Sequence, residues 1–335
     1  MPARKLIRLT HHTVLRATAR VVPVRENTAG TSGLRVSELG LGVSTWGDAT
    51  PAEDTGAILR AFIDAGGTLI DTSPAYADGV AEKLLGDLLR RRTVDRGQVV
   101  LSSSSGVDPT LPLGRRVDCS RRALMAQLDR SLSTLGTDHV DVWSVGFWDP
   151  RTPPEEVAET LDWAVRTGRS RYAGVRGYSG WQLAVTHAVC GHRTIIAAQA
   201  GYSLLDRRSE EELIPAAEHL GVGFFAAAPL AQGVLTGKYR QRIPAGSRGA
   251  SPKHDAEVQG LLVPRSATVV EALCTAADGL DISPAAAAIA WLRERGAVTS
   301  AVVGVRTVAQ LDEVLEGLTA GLPRAIRDAL DEVSL

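Results

Sequence analysis

The sequence predicts an α/β protein whose eight parallel strands close into a (β/α)8 barrel, the TIM-barrel architecture. Three observations point there. Short apolar runs alternate eight times with longer stretches of helical spacing along the 335 residues. One composition regime continues from residue 31 to residue 335, read as a single barrel domain behind a basic N-terminal extension of residues 1–30. No Gly-x-Gly-x-x-Gly run follows an early strand and opens a helix, which argues against an open doubly wound sheet.

The elements follow in order. After turn-rich residues 27–33, a glycine-rich first strand is expected over 39–47 (LGLGVSTWG). A helix over 51–65 carries Ile58, Leu59 and Phe62 at core spacing, begins at Pro51 and stops at Gly66 and Gly67. The second strand ends in Asp71, and Leu84, Leu85, Leu88 and Leu89 mark one side of a helix over 80–92. Strand three (98–105) is followed by a helix over 120–135 with Leu124, Leu128, Leu132 and Leu135 inward. Strands over 140–146, 172–177, 195–199 and 223–228 alternate with helices over 154–167, 181–190 and 210–220. Residues 236–264 mix Gly, Pro, Ser and charge and read as an excursion over one face. Two helices (266–277 and 284–295), strand eight (300–304), a helix over 308–318 and a last amphipathic piece over 323–333 complete the chain.

Composition narrows the function. A formal net charge of −1 argues against a broad nucleic-acid footprint. Cys119, Cys190 and Cys274 are too far apart to form a disulfide framework or a metal site. No apolar run approaches a membrane span, so a cytoplasmic protein is expected. Residues 1–25 carry Arg4, Lys5, Arg8, Arg16, Arg20 and Arg25 with no acid before Glu26. Such a segment reads as a transit peptide, a membrane-surface helix, an RNA-binding tail or an edge-packing extension.

The run TLIDTSPAY over 68–76 holds the candidate chemistry. Its apolar residues enter a core, Asp71 sits where the strand leaves it, and Tyr76 follows on the loop or first turn. In a barrel, the carboxyl ends of strands are where active sites form. Taken alone, the pair also reads as a helix-capping acid and a tyrosine packed under a loop.

Several motifs in barrel order resemble the aldo/keto reductases, from about residue 33 to residue 318. SGLRVSELGLG over 32–42 is similar to that family's hairpin and first strand. DTSPAY over 71–76 with AEKLLG over 81–86 resembles its second strand and the following helix. QAGYSLLDR over 199–207, APLAQGVLTGKY over 228–239 and GVRTVAQLDE over 304–313 carry the rest. The resemblance implies a carbonyl reductase using NADPH, in which a tyrosine protonates the alkoxide, an Asp–Lys pair tunes that tyrosine and a histidine orients the carbonyl. A free phenol titrates near 10, so a neighbouring ammonium makes its anion less costly.

Carried over position by position, the acid is Asp71 and the tyrosine Tyr76, whereas Ser104 stands at the lysine's place and Gly146 at the histidine's. Lys5, Lys83, Lys238 and Lys253 are the only lysines, and none falls near that place in the pattern. The family's Ser-Asn that holds the nicotinamide amide is replaced by Arg176-Gly177, while Gln199, the other amide partner, is present. Arg176 is a fixed cation, free to pair with Asp71, to bind an anionic ligand or to face solvent. The resemblance further implies cofactor contacts at Trp46, Arg176, Tyr202, Pro229, Leu230, Gln232, Gly233, Lys238, Gly304, Arg306, Gln310 and Glu313. Gln310 and Glu313, one helical turn apart, also read as ordinary surface residues. Three functions follow: an NADP(H)-dependent reductase working without the full set, a non-catalytic cofactor- or ligand-binding member that acts as a sensor or partner subunit, and a redox-neutral acid–base enzyme in a remodelled pocket. A small-molecule substrate is expected, with a protein partner or a second copy of the chain left open.

Overall fold

Eight strands hydrogen-bond in a ring in the computed structural model, which describes residues 24–190 and 194–335. Two short strands come first: β1 (Glu26–Thr28) and β2 (Arg35–Ser37) pair antiparallel as a hairpin. The ring then runs β3 (Leu39–Gly42), β4 (Leu69–Asp71), β5 (Val100–Ser105), β6 (Val140–Gly146), β7 (Ser170–Arg176), β8 (Ile195–Gly201), β9 (Gly223–Ala227) and β10 (Val298–Val303). Every neighbouring pair is parallel, and β10 closes on β3. The predicted closed barrel is therefore observed. Most of the basic extension lies outside the described residues; Val24 is the first of these and is buried.

Two apolar layers hold the barrel. Inside it, Leu69, Val142, Ile196, Phe225 and Val302 fill the lumen together with Ala29 and Val36 of the hairpin, which stoppers the amino end. Outside it, alternate strand residues meet the helices: α1 (Ala52–Asp64) buries Ile58, Leu59 and Phe62, and α3 (Arg121–Leu135) buries Leu124, Leu128, Leu132 and Leu135. Between and beyond them lie α2 (Val80–Arg90), α4 (Pro154–Arg166), α5 (Gly180–Val189) and α6 (Leu213–Leu220). The excursion after β9 holds a short α7 (Asp255–Gln259), followed by α8 (Pro264–Leu280) and α9 (Pro284–Arg293). After β10 come α10 (Val308–Gly317) and α11 (Arg324–Ser334).

One expected strand is shorter than its apolar run suggests. Residues beyond Gly42 leave the sheet in a turn, in which the Trp46 and Thr50 amides bond back to Val43 and Thr45. Stoppering the amino end leaves the carboxyl ends of the strands open, and the functional residues collect there.

Candidate active site

Asp71 is the last residue of β4, and the chain turns back over it. Tyr76 N–H bonds to Ser73 O, and the three residues after Tyr76 are left-handed (Ala77 φ 48°, Asp78 φ 55°, Gly79 φ 89°). This tight turn swings the phenol onto the acid: Tyr76 Oη donates to Asp71 Oδ2 at 3.0 Å. Tyr76 is half-buried and Asp71 buried.

Arg176 is the last residue of β7, between Gly146 of β6 and Gln199 of β8 in register. Its guanidinium crosses the barrel mouth to Asp71, with Nη2 at 2.5 Å from Oδ1 and 3.0 Å from Ser102 Oγ. Nη1 lies 3.3 Å from both Thr72 O and the Tyr76 hydroxyl. Of the alternatives open for this arginine, the ion pair with Asp71 is the one formed. Burial pushes the Asp71 carboxyl up from its ordinary value, against the attraction of Arg176 and the bonds from Tyr76 and Ser102. Because a guanidinium keeps its proton, an ionised Asp71 is the form that leaves neither buried charge alone. Burial, and then the Asp71 charge, push the Tyr76 phenol well above its usual value, with Arg176 pulling the other way.

Ser104 and Gly146 lie beside this cluster. Ser104 is buried and bonds Ser73 Oγ at 3.2 Å, and Gly146 offers no side chain next to Arg176.

A cleft of about 530 Å³ opens from the Asp71–Tyr76 pair toward the start of α10. Gln199, Pro229, Leu230, Gln232, Gly233, Lys238, Gly304, Arg306, Gln310 and Glu313, all expected from the sequence, line it. One wall is backbone in left-handed conformation at Ala228, Ala231, Gln232 and Gly233. Thr307 caps α10 by accepting from the Gln310 amide at 3.2 Å, and Gln310 Oε1 takes the Arg306 N–H at 2.9 Å.

Three expected contacts lie elsewhere: Arg176 is taken up by Asp71 and does not line the cleft. Trp46 is fully buried in the outer core and does not reach the cleft, because the turn after Gly42 folds its indole inward. Tyr202 is also buried: its ring meets Phe224 and Trp291, and its hydroxyl donates to Glu210 at 2.5 Å. Thr236, in the loop up to Lys238 that the resemblance assigns to the pyrophosphate wall, lines the cleft too, whereas Ser44, Thr45 and Arg248 line it without having been expected. Arg248 sits in the irregular segment among Arg240 and Arg242, where no periodicity distinguishes it.

Charge explains what the cleft suits. Lys238, Arg248 and Arg306 converge on it, and none of them makes an ion pair among the described residues. Burial holds Lys238 and Arg248 below their ordinary values, and their mutual repulsion with Arg306 adds to it. Such a lobe asks for an anion. At the Asp71 end, Gln199 Oε1 is a buried acceptor without a partner, and so is Gln232 Oε1, next to Gly233 beside Lys238. A molecule with phosphates at one end and an amide at the other fits this donor set, and NADP(H) is such a molecule.

Comparison with known proteins agrees with this geometry: residues 38–334 match the aldo/keto reductase family. The chain belongs to that family. It is 30% identical over 314 residues to an uncharacterised oxidoreductase of Bacillus subtilis, covering 91% of this chain and 94% of the relative. It is 32% identical over 310 residues to a probable voltage-gated potassium channel subunit beta of Oryza sativa subsp. japonica, at 91% and 94% coverage. It is 33% identical over 300 residues to the L-glyceraldehyde 3-phosphate reductase of Escherichia coli, covering 86% of each chain. These three relatives carry differing names, so the site itself must indicate the role.

Proposed function

We propose that this aldo/keto reductase family member binds NADP(H) in the cleft and has weak conventional carbonyl reductase activity. The observation that carries this reading is the state of Tyr76. Its phenol donates to Asp71 at 3.0 Å and is pushed above its ordinary value, and Ser104 and Gly146 stand where the family places a lysine and a histidine.

In this reading Lys238, Arg248 and Arg306 hold the phosphates, Gln310 and Glu313 stand at the adenosine end, and Gln199 receives the nicotinamide amide. When bound, NADPH would supply the hydride for a carbonyl carbon and leave as NADP⁺. Tyr76 gives its hydroxyl proton to the carbonyl oxygen, which becomes an alcohol, and is reprotonated from solvent. A phenol held high is a poor donor, and Gly146 has no side chain to orient the carbonyl, so both effects slow the step. Three buried, unpaired cysteines support a cytoplasmic location.

Fluorescence titration with NADPH and a turnover assay on a panel of aldehydes test the proposal. Micromolar or tighter binding with slow turnover is expected. Fast turnover that disappears in Tyr76→Phe would refute the weak-activity half; absence of nicotinamide binding would refute the whole and favour a redox-neutral acid–base site.

A further inference from the structure

We propose that Arg176 is the positioning residue that supplies the cation for the Asp71–Tyr76 pair, delivered from β7 across the barrel mouth. The inference rests on the reading of Tyr76 as the proton donor and names the group that governs it.

The geometry is specific. Asp71 and Arg176 lie 105 positions apart, yet the terminal nitrogens of the guanidinium contact all three parts of the β4 end. Nη2 meets the carboxylate at 2.5 Å, while Nη1 meets the Thr72 carbonyl and the phenol oxygen at 3.3 Å. Ser102, the register partner of Asp71, adds its hydroxyl to Nη2 at 3.0 Å. The residues around the fork are small: Ser102 and Ser104 on β5 and Gly146 on β6 leave room for it. A Cβ added at Gly146 would meet its nearest neighbour, Ser105 O, at 3.4 Å, an ordinary contact. The backbone therefore does not demand glycine, and the place beside Arg176 is open because no side chain fills it.

The charge is also distributed differently from a lysine reaching the phenol. The shortest contact is to Asp71, so the guanidinium first holds the carboxylate ionised and only secondarily faces the phenol. Arg176 thus keeps Asp71 as an acceptor that fixes the Tyr76 hydroxyl, and it provides the one cation bonded to that oxygen among the described residues.

Three variants test this in the full chain: Arg176→Met, Arg176→Lys, and Arg176→Met combined with Ser104→Lys, which moves the cation to β5. Each is read by NADPH titration, by the pH titration of the Asp71 carboxyl in ¹³C NMR, and by the pH profile of NADPH oxidation with an aldehyde. Arg176→Met should leave NADPH affinity within about threefold, raise the Asp71 titration by about one pH unit or more, and lower turnover about tenfold or more. Arg176→Lys, which keeps charge and most of the volume, should stay near wild type in the Asp71 titration. The double variant should bring the Asp71 titration back down, which a merely structural loss would not allow. An Asp71 titration unchanged in Arg176→Met overturns the inference, as does a double variant that folds, binds NADPH and leaves the titration where Arg176→Met put it. Should Arg176→Met fail to fold, the double variant is compared with wild type: an Asp71 titration close to wild type sustains the inference, and one raised by about one pH unit or more overturns it. Loss of NADPH binding in the wild type would refute the cofactor reading, and the NMR titration would still judge Arg176.

Discussion

Gly233 lies directly under the Lys238 ammonium: a Cβ added there would stand 2.5 Å from Nζ. Gly233 is also left-handed, with φ +86°. The left-handed backbone favours glycine at that position, and a side chain there would also push the flexible Lys238 ammonium aside. Gly233→Ala should therefore weaken NADPH binding about tenfold and cost roughly 1 kcal/mol of stability. Fluorescence titration and urea unfolding measure the two effects, and unchanged affinity would show that the place of the Lys238 ammonium over Gly233 does not matter for binding.

Arg248 offers a sharper test of the anion lobe. It is half-buried at the cleft beside Lys238 and Arg306, and it lacks a carboxylate partner among the described residues. A charge-assisted hydrogen bond contributes about 1.5–3 kcal/mol, so Arg248→Ala should weaken NADPH binding roughly 10- to 100-fold. The variant's affinity should also depend less steeply on salt. Equal affinity and an equal salt slope in variant and wild type would exclude Arg248 from the site.

Much of this layout was legible in the sequence, and the misses have physical causes. The strands were visible because a parallel barrel buries both faces, so its strands read as unbroken apolar runs. Asp71 and Arg176 were visible as partners because both end a strand, and all strands of a parallel barrel end at one mouth. Trp46 was misplaced because an indole serves equally as a core filler and as a ligand platform. Its direction depends on the turn after Gly42, which carries no pattern. Arg248 was missed for the opposite reason: it lies in a segment whose path over the cleft is set by tertiary contacts such as Tyr239 Oη with the Gly249 amide, at 3.1 Å.

Asp331 predicts a loss of stability far from the cleft. Its Oδ1 accepts from Trp291 Nε1 at 2.9 Å and pairs with Arg295, and Arg207 stands 3.5 Å away. Arg295 also lies over the Trp291 ring, so one carboxylate on α11 ties the α9 region to the loop after β8. Asp331→Ala would leave the partly buried Arg295 guanidinium and the Trp291 indole N–H without their carboxylate, while Arg207 keeps Glu210. Because the group is about a quarter exposed, solvent screening keeps the cost near 2 kcal/mol. Urea unfolding should show this with NADPH affinity unchanged, and an unaltered midpoint would mean the network contributes nothing net.

Glu82 gives a pH prediction with a definite sign. It is buried on α2 and accepts from Ser103 Oγ at 2.8 Å, and burial raises its carboxyl above the reference value of 4.5. Between that value and the raised one, the folded state holds a proton that the unfolded state has released. Stability therefore falls as pH rises through this window, by about 1.4 kcal/mol for each unit of displacement. Glu82→Gln keeps an acceptor for Ser103 and carries no charge, so its contribution has no such slope. Urea midpoints compared at pH 4 and pH 7 should show the variant gaining on the wild type at the higher pH. A wild type that gains on the variant as pH rises would mean the Glu82 carboxylate is stabilised by its surroundings, contrary to the effect of burial.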